Sequence, residues 1–339
     1  MAKHAKYEKR QKRPWIAAVL PWGGDRPGEV VRKTIFLVAL LVFLITGGIL
    51  LWEMVIQPTM VDNKANYMQQ IYHETAVGET GDSEYDENGN LKKFLELQKI
   101  NSDIKGWLRI KNTVVDYPVL QSDESNPEYY LYLDYEKNYS KYGSLFFDAR
   151  NSVELDNPNS KSLIVYGHSM NDGRMLGALL KYGSLDFYKE HATFELDTVK
   201  YNADWKIFSV FKTNTLGTQG EPFNYLRTSF SNDSDFLNFV YQLKIRSLFN
   251  MDVDISADDQ IVLLSTCSYE MDNFRTVVAA RKVRPGESSD VDVDSAVWNP
   301  SVLYPDGWYA AKGGTKPNHP ETFEQALEQG RISWFKEDD

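Results

Sequence analysis

Residues Thr34–Trp52 read TIFLVALLVFLITGGILLW, the longest apolar run in the chain and free of charge. As a helix rising 1.5 Å per residue it just reaches across a hydrocarbon core of ~30 Å. A helix from a soluble core would carry a polar face, and here Thr34 and Thr46 stand alone among apolar residues and glycines. A secretory leader would be shorter and end in a small-residue cleavage site, whereas Trp52, Glu53 and Met54 follow. The run therefore reads as an uncleaved transmembrane signal anchor over residues 34–52. Charge sets its direction. Residues 1–33 hold nine Lys/Arg against three Asp/Glu, so the net charge of -11 leaves -17 for the rest. The positive-inside rule puts that basic segment in the cytoplasm and residues 53–339 on the extracellular side of the cell membrane. An ectodomain this acidic argues against nucleic acid as a partner.

Beyond the anchor the pattern changes several times. Pro58–Glu74 has mixed polarity at helical spacing and reads as a stalk helix, and Gly78–Asn90 is an acidic spacer with few large apolar residues. Leu91–Ile104 repeats its apolar positions as an amphipathic helix would. From Trp107 onward, short segments rich in β-branched and aromatic residues predict strands at 107–110, 114–120, 143–147, 163–166, 193–196, 205–212, 261–266 and 275–280. Helical spacing interrupts them at Arg174–Tyr188 and Asp233–Phe249. About eight strands with two or three inserted helices predict a mainly β fold, a closed or nearly closed eight-stranded β-barrel behind an N-terminal transmembrane helix. Residues 284–339 carry five prolines but also Trp298, Trp308, Tyr309, Trp334 and Phe335, and read as an irregular extension packed on the barrel.

The ectodomain has a single cysteine, Cys267. It cannot form a disulfide within its own chain, so it is a buried hydrophobe, an intermolecular crosslink or a nucleophile. Its neighbours bear on the choice. Ile261–Leu264 is continuously apolar and turns polar at Ser265-Thr266-Cys267, which places the thiol at a strand end. Arg275 opens the next β-rich segment after the loop 268–274. If the two strands form a hairpin, Arg275 lies beside Cys267, where a guanidinium favours thiolate and can hold a developing oxyanion; otherwise it faces solvent like most lone arginines. A thiol nucleophile also needs an acid and base. His4 precedes the anchor, His73 is in the stalk and His319 in the extension. His191 follows a helical stretch and reads as a helix cap or a residue facing water. His168 ends an apolar strand as Cys267 does, and is the candidate. The histidines are scattered, there is no second cysteine, and the acidic run Asp82, Glu84, Asp86, Glu87 lacks a full calcium-loop pattern. No glycine-rich phosphate loop is present. Neither a metal nor a cofactor is expected.

Leu264-Ser265-Thr266-Cys267 followed by Arg275, with Tyr166-Gly167-His168-Ser169-Met170 upstream, resembles the active site of the class B sortases, membrane-anchored cysteine transpeptidases of Gram-positive bacteria. Ile104–Leu108, Asp116–Gln121 and Gly143–Asp148 also match that class. The resemblance covers residues 91–283, and leaves 1–33 as a basic cytoplasmic segment, 34–52 as the anchor, 53–90 as stalk and acidic linker, and 284–339 as an extension of unassigned role. Two departures stand out. Leu263 replaces a threonine typical of the class, and the family usually ends soon after the arginine strand.

The resemblance implies that Cys267 attacks a C-terminal sorting signal of a secreted surface protein after Thr, forming a thioacyl enzyme. It implies that His168 is the general acid and base, and that Arg275 holds the substrate backbone and the oxyanion. Ser265, Thr266 and the loop between Cys267 and Arg275 would line the substrate groove without being catalytic. Glu270 and Asp272 would either orient His168 or sit in a solvated loop. The acyl group would pass to an amine of a peptidoglycan precursor. A pilin lysine as acceptor, a purely hydrolytic cysteine endopeptidase and an inactive membrane-tethered binding module are the competing readings.

Overall fold

The computed structural model describes residues 14–75, 84–153 and 160–335, which divide into two compact units at Lys64/Ala65. His4, most of the basic N-terminal cluster and residues 78–83 of the expected spacer lie outside the described residues.

In the first unit, helix α1 (Pro27–Leu51) starts ahead of the apolar run, with Pro27 in its first turn and the Glu29 carboxylate accepting from the Arg26 N–H. Lys33 is buried rather than solvated: its Nζ donates to Asp25 at 2.7 Å and to the Ala17 carbonyl at 2.6 Å. A π-helical turn, Trp52–Ile56, leads into α2 (Gln57–Thr75). The helical run Pro27–Glu74 is long and apolar enough to cross a membrane.

In the second unit, a 3-10 turn at Lys92–Phe94 precedes α3 (Leu95–Ile100), so the expected helix 91–104 is shorter and its last residue opens a strand. The strands are β1 (Ile104–Arg109), β2 (Asp116–Leu120), β3 (Leu145–Phe147) and β4 (Ser162–Tyr166), then β5 (Thr193–Thr198) and β6 (Asp204–Thr213) after helix α4 (Leu185–Glu190). Helix α5 (Asp233–Arg246), the short β7 (Phe249–Asn250), β8 (Ile261–Ser268) and β9 (Phe274–Lys282) follow. The order β1-β2-β3-β4-β8-β9-β6-β5 closes on itself, which is the expected eight-stranded barrel.

Two predicted helices are broken in the fold. Arg174–Tyr188 splits into a 3-10 segment (Gly177–Gly183) and α4, with extended Ser184 between them. The stretch Asp233–Phe249 stops at Arg246, because Ser247 turns extended and Phe249–Asn250 pairs with β10 (Val297–Trp298) in the C-terminal extension.

One face of the barrel wall packs on α5. Ile261, Leu263, Phe211, Val277 and Ala279 meet Phe236, Phe239, Val240 and Leu243 there. Alternation along a strand puts Ser265 and Cys267 on the same face as Ile261 and Leu263. At the other side, Met68 and Tyr72 of α2 are buried with Phe94, Leu97 and Trp107, and the Tyr72 ring stacks on Trp107 at 4.1 Å. The second half of the expected stalk is thus part of the folded unit. So is the extension, with β10, α6 (Asp306–Lys312) and α7 (Phe323–Glu328). Phe323 and Ala326 are buried in the α5 cluster, Trp334 and Phe335 pack against it, and Trp298 meets Phe249 at 4.7 Å.

Candidate active site

The hairpin β8–β9 pairs Cys267 directly with Arg275. Opposed residues in an antiparallel pair share a face, so the thiol and the guanidinium side chains leave the sheet together. Both are partly exposed. Arg275 is paired on its other side with Thr213 of β6. Its Nη1 donates to the Phe274 carbonyl at 3.1 Å and to the Asn273 carbonyl at 3.4 Å, which turns the fork back along its own strand.

The imidazole arrives from the neighbouring strand. β4 runs parallel to β8, with Tyr166 level with Ser265, so the chain two residues further on brings His168 level with Cys267. Two side-chain bonds keep the chains together past the end of β4. Thr266 Oγ1 donates to the Gly167 carbonyl at 2.7 Å, and the Tyr269 hydroxyl donates to the Ser169 carbonyl at 2.9 Å. His168 is bracketed by these contacts. Its Nε2 lies 2.7 Å from the Leu131 carbonyl, and its ring faces Tyr132 at 5.3 Å between centroids. A carbonyl only accepts, so Nε2 carries a hydrogen and Nδ1 is the nitrogen left for proton exchange.

That carbonyl comes so close because of Gly143. The glycine has φ +59°, and a Cβ there would sit 2.2 Å from Leu131 O. Both the left-handed backbone and the near approach exclude other residues. A backbone acceptor has no signature in sequence, which is why the orienting group is not legible there. Of the acidic candidates, Glu270 is occupied elsewhere and Asp272 lies exposed in the loop. Glu270 pairs with Lys212 at 2.6 Å; burial pushes its carboxyl up, but the hydrogen bond and charge of Lys212 outweigh that and hold it below the ordinary range. Asp272 offers its backbone carbonyl to Gln219 Nε2 at 3.0 Å.

Ser265 and Thr266, expected on the groove wall, are 3% and 2% exposed. Ser265 Oγ shares a hydrogen bond of 2.9 Å with the Tyr225 hydroxyl, and Thr266 holds Gly167. These hydroxyls brace strands, because residues inside a closed barrel have neighbouring strands on both sides. Tyr225 carries no signal in the sequence that marks it for this place. Burial pushes its phenol up, with Ser265, Arg275 and Cys267 all within electrostatic reach. Among the described residues, the other histidines have partners of their own elsewhere in the fold. His73 pairs with Asp116, and His319 meets the Ser301 carbonyl. His191 ends α4, as expected of a cap, with Nδ1 on the Phe187 carbonyl. Among the described residues no group of three or more His, Cys, Asp or Glu could hold a metal ion.

No protein-family model matches the chain. Curated and solved proteins do. Sortase B of Listeria monocytogenes is 36% identical over 244 residues, covering 71% of this chain and 91% of the relative. The Staphylococcus aureus sortase B-substrate complex superposes with a TM-score of 0.59 at 31% identity, covering 68% of this chain and 99% of that one. A sortase B complexed with triglycine gives 0.57 at 31% identity, covering 67% and 99%. With that identity over nearly the whole length of its relatives, and the same closed barrel, the chain belongs to the class B sortases and is a cysteine transpeptidase.

Proposed function

We propose that Cys267, His168 and Arg275 are the reacting groups, and that the substrate is a C-terminal sorting signal cleaved after Thr. The observation that carries this is the register: Arg275 is paired with Cys267 on one side, and β4 delivers His168 on the other. The Cys267 thiol gives its proton to His168 Nδ1 as its sulfur adds to the Thr carbonyl carbon. The guanidinium of Arg275 hydrogen-bonds the oxygen as it becomes negative. His168 passes its Nδ1 proton to the departing amine, and the C–N bond breaks to leave a thioester on Cys267. An incoming amine gives a proton back to Nδ1 and takes the acyl group, and the thiolate so released takes that proton, regenerating the thiol and the neutral imidazole.

A relative solved with its substrate supports a peptide in the groove, and one solved with triglycine supports an amine-terminated glycine peptide as acceptor, the kind of group a peptidoglycan precursor offers. The apolar helix supports a membrane anchor with the basic N-terminus inside and the barrel outside. Anchoring confines enzyme, substrate and lipid-linked acceptor to one surface, which raises their effective concentrations. Ser265 and Thr266 are then braces for the reacting strand ends, and the catalytic domain includes the second half of α2 and the C-terminal extension.

Mass spectrometry of the full chain incubated with a sorting-peptide library tests the reading. An acyl adduct on Cys267, absent in Cys267→Ala, is expected, and Arg275→Ala should lower turnover ~10²–10³-fold. Turnover surviving in Cys267→Ala would sink it.

A further inference from the structure

The loop 268–274 joins the two residues that react in the proposed mechanism, and little of it is held by the hairpin itself. Asn273, just before the β9 residues Phe274 and Arg275, sits at φ +56°, in the left-handed region that a side-chain-bearing residue adopts at some cost. The start of the loop is tied to the barrel by Tyr269 on the Ser169 carbonyl and Glu270 on Lys212, and three further contacts hold its end, Asp272–Phe274. Thr215 Oγ1 donates to the Asn273 carbonyl at 2.9 Å, and Gln219 Nε2 donates to the Asp272 carbonyl at 3.0 Å. The indole of Trp308 lies over Phe274, with ring centroids 6.1 Å apart and planes 28° from parallel.

All three lead to the C-terminal extension. Trp308 belongs to α6 and is backed by Tyr304 through a stacked contact of 4.3 Å at 8°. Tyr304 is itself close enough to Glu270 of the loop for that carboxylate's charge to act on its phenol. The 215–220 segment is held from the same side: the Gly307 N–H donates to the Gln219 carbonyl at 2.7 Å. A Cβ on Gly307 would stand 2.8 Å from that carbonyl oxygen and 2.9 Å from the Gln219 Cα, so the approach needs glycine. Gly220, at φ +104°, lies against Asp306 in the same way. The extension therefore touches the active-site loop directly through Trp308 and indirectly through Gly307, Gln219 and Asp272.

We infer that residues 303–312 form a clamp on the Cys267–Arg275 loop, with Trp308 and Gly307 as positioning residues that hold Arg275 in register beside the thiol. The inference rests on the proposed roles of Cys267 and Arg275. It gives the extension a function separate from its second anchorage, where Phe323 and Ala326 fill the α5 cluster and contribute to stability.

The test uses the full chain in detergent micelles and an internally quenched form of the peptide recovered on Cys267, with triglycine as the amine. Trp308→Ala and Gly307→Ala should lower kcat about 10-fold while KM stays within about 2-fold, since oriented groups lose rate on small displacements. Both should also speed amide hydrogen exchange at residues 268–274. Trp308→Phe should restore most of kcat, because it keeps a ring over Phe274. Phe323→Ala is the contrast: it should lower the melting temperature but leave kcat and loop exchange at wild-type values where the protein is folded. Unchanged kcat in Trp308→Ala, with or without faster exchange, overturns the clamp, as does an equal loss in Phe323→Ala. Failure of the proposed function would look different, with Cys267→Ala still turning over.

Discussion

Replacing Gly143 by alanine asks whether a backbone carbonyl orients the imidazole of His168. The added Cβ would lie 2.2 Å from Leu131 O, whereas a carbon and a carbonyl oxygen settle no closer than about 3.3 Å. The carbonyl must retreat by about 1 Å, and with it the acceptor that lies 2.7 Å from His168 Nε2. The left-handed backbone at φ +59° adds about 1 kcal/mol of strain for alanine. A displacement of that size at a group proposed to transfer a proton should cost on the order of 10²-fold in kcat. The assay pairs turnover of the quenched peptide with nitrogen-15 NMR of the histidine side chains. The wild type should show His168 with its hydrogen on Nε2, and Gly143→Ala a mixture of tautomers with kcat lowered about 100-fold. Thermal melting shows whether the variant folds, and the tautomer signal is read without substrate. A folded Gly143→Ala with full kcat and an unchanged His168 signal would refute the reasoning.

Other expectations follow from the same geometry. Glu287 accepts from Arg281 Nη1 and Nη2 and from Lys206, each at 2.7 Å, and from the Arg284 N–H at 2.9 Å; Glu287→Gln should cost about 3 kcal/mol in urea unfolding, since Arg281 is fully buried. The hydrogen bonds of Arg281, then those of Lys206 and the Arg284 N–H, outweigh burial and hold the Glu287 carboxyl well below its ordinary 4.5. The stability it supplies is therefore present above pH 4.5 and lost as pH falls further, and Glu287→Gln should flatten that acid limb of the melting temperature. Tyr225→Phe removes the partner of buried Ser265 and should destabilise by about 1–2 kcal/mol in denaturant titration. Thr266→Val leaves the Gly167 carbonyl without its bond of 2.7 Å, and should lower kcat more than it lowers stability, because the lost bond lies one residue from His168.

The strands were legible because period-two patterning and β-branched composition depend on local sequence alone. All eight barrel strands overlap the segments so predicted, and the pairing of Cys267 with Arg275 follows from a hairpin's register. Helices were overextended at 233–249 and 91–104, where a distant partner strand or the barrel edge claimed residues whose spacing was also compatible with a helix. Of the candidate site, the three side chains proposed to react were readable as chemistry-bearing residues at strand ends. Ser265 and Thr266 were not readable as braces, since a hydroxyl beside a nucleophile looks the same in sequence whether it faces substrate or a neighbouring strand.

The order of residues alone determined an apolar helix with a basic flank, a β-rich acidic domain, and one thiol at the end of an apolar strand, because hydropathy, charge and strand periodicity are properties of neighbours along the chain. Only the folded barrel decided that β4 runs beside β8, that Leu131 lends its carbonyl to His168, and that the extension returns to lie on Phe274. Those contacts join residues far apart in the chain through backbone groups and packed rings, and a carbonyl oxygen or a van der Waals surface belongs to every residue alike until the fold selects one.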